Sequence, residues 1–221
     1  MTETMNKDMF TQFEFTGYSI DKNARRVRFT YKVYSETKTL IFHEELIFPQ
    51  FKNKTFILTP LIKRILDNVL LMLGISYWKL YCPPNITIVP FALTPHQAEF
   101  WETVYTKGLG EFFYKNSIDY RDLIHFPYNK TLSVKPLESH QTDRSLLLFG
   151  GGKDSLVSVS LLVKHQKPFV LISLNAYPIQ KDVAKKIPVS YLAIQRTMDK
   201  KLLTLPHASK AYDGHVPISA I

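Results

Sequence analysis

Residues 146–166 constrain the fold of this chain more than any other stretch. Leu146-Leu147-Leu148-Phe149 is a short unbroken apolar run. Gly150-Gly151-Gly152-Lys153-Asp154-Ser155 follows it, and Leu156, Val159, Leu162 and Val163 then recur along one helical face. The apolar run reads as a strand buried on both faces. Three consecutive glycines between a strand and a helix are costly in chain entropy unless their freedom is used. Glycine lets backbone approach an anion closely and adopt conformations closed to other residues. The helix that follows offers unpaired N–H groups and a partial positive charge, and successive amides can form an anion-binding nest. Lys153 adds charge and Ser155 a hydroxyl. The segment therefore predicts a phosphate-binding loop.

Spacing excludes two common nucleotide loops. A Walker A loop needs a glycine where Leu147 stands and Ser or Thr where Asp154 stands. The dinucleotide fingerprint needs Gly or Ala at Ser155 and an acid about 20 residues on, where residues 173–177 offer none.

On either side of this motif the grammar differs. Phe13, Phe15 and Tyr18 lie in a β-prone run, Asp21-Lys22-Asn23 is a turn, and Val27, Phe29, Tyr31 and Val33 alternate with polar residues. Leu40 to Phe48 continues as a third strand that Pro49 ends. Thr59-Pro60 opens a helix carrying Ile62, Ile65, Leu66, Val69, Leu70 and Leu73, for which Gly74 suits a C-terminal cap. Ile86–Val89 reads as a short strand, and Thr94-Pro95 opens a second helix running toward Gly108. Residues 117–143 are polar and loop-rich, which places a domain boundary near residue 140. Beyond the glycine loop, Phe169–Leu174 reads as a buried strand, Asp182–Lys186 as helical and Val189–Ile194 as a third strand. The expected fold is an α+β domain over 1–140, an antiparallel sheet plus helices, followed over 141–221 by an α/β domain with a parallel sheet and right-handed crossovers.

The charge is uneven. Of the chain's net +9, residues 144–221 supply most, with 11 basic against 4 acidic side chains. That field favours polyanionic ligands such as nucleotides, nucleotide sugars or RNA, and equally describes a solvated basic surface. The single cysteine, Cys82, excludes an intrachain disulfide and reads as a small buried apolar residue. No basic-then-apolar leader opens the sequence, and its most apolar run, Val69–Leu73, is far short of the about 20 residues of a membrane helix. A soluble, cytoplasmic protein without membrane contact is expected.

Positions 151, 152, 154 and 155 match the Ser-Gly-Gly-x-Asp-Ser pattern of the PP-loop ATP pyrophosphatase superfamily, with Gly150 in place of the serine and Leu156 in place of the following Ser or Thr. More of the chain resembles the N-terminal half of the UDP-N-acetyl-alpha-D-muramoyl-L-alanyl-L-glutamate epimerase (MurL) family. The resemblance rests on Phe13-x-Phe15-x-Gly17-Tyr18, Val27-x-Phe29-x-Tyr31, Gly108-Leu109-Gly110-Glu111-Phe112-Phe113-Tyr114-x-Asn116, the triple-glycine loop and Gly214-His215-Val216-Pro217-Ile218. It implies a HUP-like PP-loop domain, here cut short, since few residues follow position 143. The chain is accordingly expected to be a fragment whose last strand is an exposed edge.

The resemblance also implies a chemistry. ATP and Mg2+ would convert the terminal L-glutamate of a nucleotide-sugar dipeptide to D-glutamate. Adenylylation would remove the carboxylate's charge and so let a base take the α-hydrogen. Gly150, Gly151, Gly152, Lys153 and Ser155 would hold the ATP phosphates, and Asp154 would bind the metal or cap the helix. His215 is a candidate catalytic base, with a structural role as its ordinary alternative. Glu111 and Asn116 are candidate substrate contacts, with a helix cap or surface role as theirs. Lys185 and Lys186 could meet a diphosphate or simply face solvent. Two other readings stay open: a PP-loop enzyme modifying tRNA, which the basic C-terminal part favours and the lack of a Cys-x-x-Cys pair opposes, and a non-catalytic nucleotide-binding module.

Overall fold

In the computed structural model, residues 10–23, 25–50, 57–137, 143–208 and 211–212 are described. The alternation near the N-terminus forms an antiparallel meander of β1 (Gln12–Asp21), β2 (Arg26–Tyr34) and β3 (Thr39–Ile47). Val27, Phe29, Tyr31 and Val33 of β2 are all buried. That is what period two dictates when one face of a sheet is covered. The β1–β2 register shifts between Phe15 and Gly17, and Gly17 sits at φ +134°. The bulge falls where only glycine is unstrained.

The covering element is α1 (Pro60–Trp78). Thr59 caps it, its hydroxyl accepting from the Ile62 amide at 3.2 Å, and Pro60 takes the first helical position. Gly74 does not end this helix, which continues to Trp78. Its lack of a side chain serves packing instead, because a Cβ there would overlap the Phe15 ring. Tyr31 Oη donates to the Leu70 carbonyl at 3.1 Å, and Tyr105 Oη to that of Leu71 at 2.6 Å. The buried phenols thereby satisfy their hydroxyls on the helix backbone. After α1, the short β4 (Asn85–Ile88) pairs in parallel with β1. Then α2 (Pro95–Lys107) begins with a complete Thr94/Gln97 capping box. The glycine-interrupted stretch forms a further helix, α3 (Gly110–Lys115), whose Phe112 and Phe113 join the main core.

The boundary expected near residue 140 falls among residues 138–142, outside the described residues. Beyond it, β5 (Ser145–Leu148), β6 (Phe169–Leu174) and β7 (Tyr191–Thr197) are mutually parallel. They are linked by α4 (Lys153–Lys164) and α5 (Pro178–Ala184), and α6 (Lys201–Ala208) follows. All seven strands form one mixed sheet in the order β4-β1-β2-β3-β7-β6-β5, an α+β architecture. Two expectations are corrected. Among the described residues the last strand is not an edge: β7 lies between β3 and β6. Nor is β5 buried on both faces, since it is the outermost parallel strand and Leu146 and Leu148 are exposed. An apolar run records that both faces avoid water, not that the residues present suffice to cover them.

The seam between meander and parallel strands is short. Only Glu45↔Thr197, Leu46↔Arg196 and Ile47↔Gln195 pair across it, antiparallel. Beside it Arg196 Nε donates to Glu44 Oε1, both side chains fully buried. The arginine lies diagonally across the ladder from the carboxylate, on the face that also carries Leu46. Burial pushes the Glu44 carboxyl above its ordinary value, and the Arg196 hydrogen bond pulls it back.

Candidate functional site

The C-terminal ends of β5, β6 and β7 lie together because the strands are parallel, and the loops that leave them share one end of the sheet. In open α/β sheets this end is where ligands bind. The loop after β5 is the glycine run. Phe149 is held on both sides: its amide donates to the Ile172 carbonyl at 2.7 Å, and its own carbonyl accepts from the buried Ser173 hydroxyl. The chain then turns through Gly151 at φ +75°, a conformation that favours glycine, and enters α4 with extended Gly152 as N-cap. Open space lies where a Cβ would stand at Gly150 and Gly152. Backbone is thereby bared on the approach to the helix N-terminus, whose first amides have no intrahelical acceptor.

Lys153 and Asp154 begin α4 and are exposed, while Ser155 is half-buried. Ser155 Oγ donates to the Gly152 carbonyl at 2.9 Å and the Leu156 amide to the same oxygen at 3.2 Å, which closes the first turn. An acid in the first turn complements the helix dipole. Among the described residues no group of three or more His, Cys, Asp or Glu is placed to hold a metal ion unaided. A magnesium ion bound chiefly through phosphate oxygens needs only one or two protein carboxylates, and the exposed Asp154 fits that limited part.

Gln180 is a loop contact that the sequence did not single out. Its Nε2 donates to the Gly150 carbonyl at 2.6 Å, its Oε1 accepts from the Tyr177 amide at 2.8 Å, and its Cγ lies 2.9 Å from where a Gly151 Cβ would be. The α5 N-terminus is thus tied to the glycine loop by one amide side chain. The signal was there: Pro178 at the first helical position with glutamine two residues later marks a helix start, so the helix begins at Pro178 rather than Asp182. A second tie joins β6 to β7, where Asn175 Oδ1 accepts from the Arg196 amide at 2.7 Å and its Nδ2 donates to the Arg196 carbonyl at 2.9 Å.

The other candidates lie elsewhere. Glu111 is exposed and pairs with Lys115 at 2.6 Å, while Asn116 Nδ2 donates to the Phe112 carbonyl at 2.9 Å at the end of α3. Their helix packs into the main core, whereas the glycine loop flanks a smaller cluster built on Phe149, Val159, Phe169, Leu171 and Ala184. Lys185 pairs with Asp182 at 2.9 Å on an exposed surface, and Lys186 is exposed too. His215 lies outside the described residues. Cys82 is buried, and burial pushes its thiol up to about 12. No described helix is long and apolar enough to cross a membrane.

Comparison with known proteins places these features in context. A family model described as the MurL N-terminal domain matches residues 4–221. Three curated relatives each bear the name UDP-N-acetyl-alpha-D-muramoyl-L-alanyl-L-glutamate epimerase. That of Xanthomonas oryzae pv. oryzae is 30% identical over 161 residues, covering 72% of this chain and 35% of its own length. The Salinispora tropica relative is 29% identical over 212 residues, covering 95% of this chain and 46% of its own. The relative from a Micromonospora species is 30% identical over 212 residues, covering 95% and 47%. The chain therefore spans half or less of the length of these relatives. No solved structure matches.

Proposed function

The chain belongs to the MurL N-terminal domain family, and from that premise we propose that it contributes the nucleotide-phosphate loop to an ATP- and Mg2+-dependent epimerase acting on UDP-N-acetylmuramoyl-L-alanyl-L-glutamate. The single observation that supports this most is the loop itself. Gly150–Ser155 joins a parallel strand to a helix N-terminus, with Gly151 at positive φ and open space beside Gly150 and Gly152.

The α-hydrogen beside a free carboxylate is barely acidic, because loss of its proton would put a second negative charge next to the first. Transfer of AMP to that carboxylate, with pyrophosphate leaving, would neutralise the charge and make the α-carbon acidic enough for a side-chain base. Reprotonation on the opposite face and hydrolysis of the acyl-adenylate would complete the inversion. In this reading the 150–155 amides and Lys153 bind and orient the phosphates, Asp154 holds magnesium against them, and Ser155 closes the helix turn that aims the amides. His215 is the proposed base. The proposed substrates are a nucleotide and a nucleotide sugar, and a peptidoglycan precursor of this kind belongs in the cytoplasm.

The test is pyrophosphate release from ATP and Mg2+, with and without the UDP-muramoyl dipeptide, in a full-length family member carrying this N-terminal part. Substrate-stimulated release that Lys153→Ala or Asp154→Ala lowers at least tenfold is expected. Release that ignores the dipeptide refutes the epimerase reading, and unchanged turnover in both variants refutes the assigned roles. The basic balance of residues 144–221 favours one second reading, a PP-loop enzyme acting on RNA. RNA binding that falls steeply with salt would support that reading instead.

A further inference from the structure

The glycine loop follows β5, and among the described residues β5 is the free edge of the parallel half of the sheet. Chain order runs inward from that edge through β6 to β7, and both crossovers lie on one face. Leu147 of β5 packs in the smaller cluster with Val159 of α4 and with Val183 and Ala184 of α5. Alternation then puts Leu146 and Leu148 on the opposite face. There Leu174 and Ile194 lean on the main core, while Leu146 and Leu148 remain 62% and 64% exposed. On the other face of the sheet α4 is also incompletely covered, with Val157 58% and Leu161 51% exposed although Val159 is buried. An apolar edge strand open to pairing is a surface that proteins normally cover.

Open parallel sheets suggest what covers it. A phosphate loop sits where the strand order reverses: the first strand is flanked on one side by the second and third, on the other by the fourth, and the crossover to the fourth packs on the opposite face. The order β7-β6-β5, with both helices on one face, is the first half of that arrangement.

We propose that the free edge of β5 is a docking surface for one further strand-and-helix segment. The strand lies parallel against Ser145–Leu148, and the helix covers Leu146 and Leu148. The occupant is the C-terminal portion of the family's longer members. This chain matches only 46% and 47% of the length of two of the relatives, and its own family is described as an N-terminal domain, so those relatives hold about as much polypeptide again. Ser145–Leu148 carries no charge to pair with a polar ligand. The surface asks for an apolar strand, and the inference requires no nucleotide.

The test co-expresses the 221-residue chain with a separately encoded C-terminal remainder of the Salinispora tropica epimerase and measures amide exchange of the purified mixture without ATP. Expected are a one-to-one complex, exchange slowed at least tenfold over 145–149, and at least tenfold weaker binding by a Leu146→Lys/Leu148→Lys chain whose circular dichroism is unchanged. Three results overturn the proposal: a soluble remainder that fails to co-purify, protection that bypasses 145–149, or a dimer of this chain alone already protected there, in which a second copy occupies the edge.

Discussion

Replacing Arg196 by methionine removes the guanidinium that holds Glu44 but keeps most of the side chain's volume. Both groups are fully buried beside a seam of three residue pairs. Water therefore cannot take the place of the lost partner, and stranding one member of a buried pair costs about 3–5 kcal/mol. For a chain of this size, with about 2–4 °C per kcal/mol, melting should fall by roughly 10 °C. The deficit should depend on pH in a definite direction. Burial already raises the Glu44 carboxyl above its ordinary 4.5, and the Arg196 hydrogen bond is the main opposing influence. Without it the folded-state value rises further. The folded variant then holds a proton that the unfolded chain has released, so the loss is smallest below about pH 4.5 and grows as pH rises through the raised folded value. Urea unfolding of wild type, Arg196→Met, Glu44→Leu and the double variant at several pH values measures this. The double variant should recover most of the single losses, because a well-packed apolar pair is often as stable as the ion pair it replaces. Single losses below about 1 kcal/mol, or a double variant costing the sum of both, would refute the argument.

Gly74→Ala should destabilise by about 1–3 kcal/mol in urea despite alanine's better helix propensity, because the new methyl overlaps the buried Phe15 ring; a gain in stability would show that the ring yields. Gly151→Ala places a Cβ at φ +75° and 2.9 Å from Gln180 Cγ. It should cost about 1–2 kcal/mol and weaken nucleotide binding by titration calorimetry far more than its effect on melting suggests. Cys82, buried with its thiol raised to about 12, should resist Ellman's reagent at pH 8 in the native protein and react at once in guanidinium.

The meander was legible because Val27, Phe29, Tyr31 and Val33 obey period two over a covered face. The α1 and α2 starts were legible because Thr-Pro pairs announce them. Gly74 misled because a glycine that ends a helix and a glycine that admits a neighbouring ring look alike in one dimension. Only the position of Phe15, 59 residues earlier in the chain, separates them. The placing of β7 between β3 and β6 was hidden for a related reason. Pairing across the sheet depends on residues 148–152 positions apart, and Glu44 and Arg196 carry no local sign that they meet. At the loop, residue types and spacing announced the strand–turn–helix, but Gln180 escaped because its segment was read as starting four residues late.

The seam also sets an order of events during synthesis. Glu44 and Arg196 are separated by 152 positions, so at about 5–20 residues per second the ribosome needs roughly 8–30 s to deliver the strand that completes β3. Throughout that interval the nascent meander has an unsatisfied hydrogen-bonding edge and a carboxylate without its cation. Assembly of the sheet must therefore wait for nearly the last part of the described chain, which makes the growing polypeptide a natural client for chaperones that shield exposed strands.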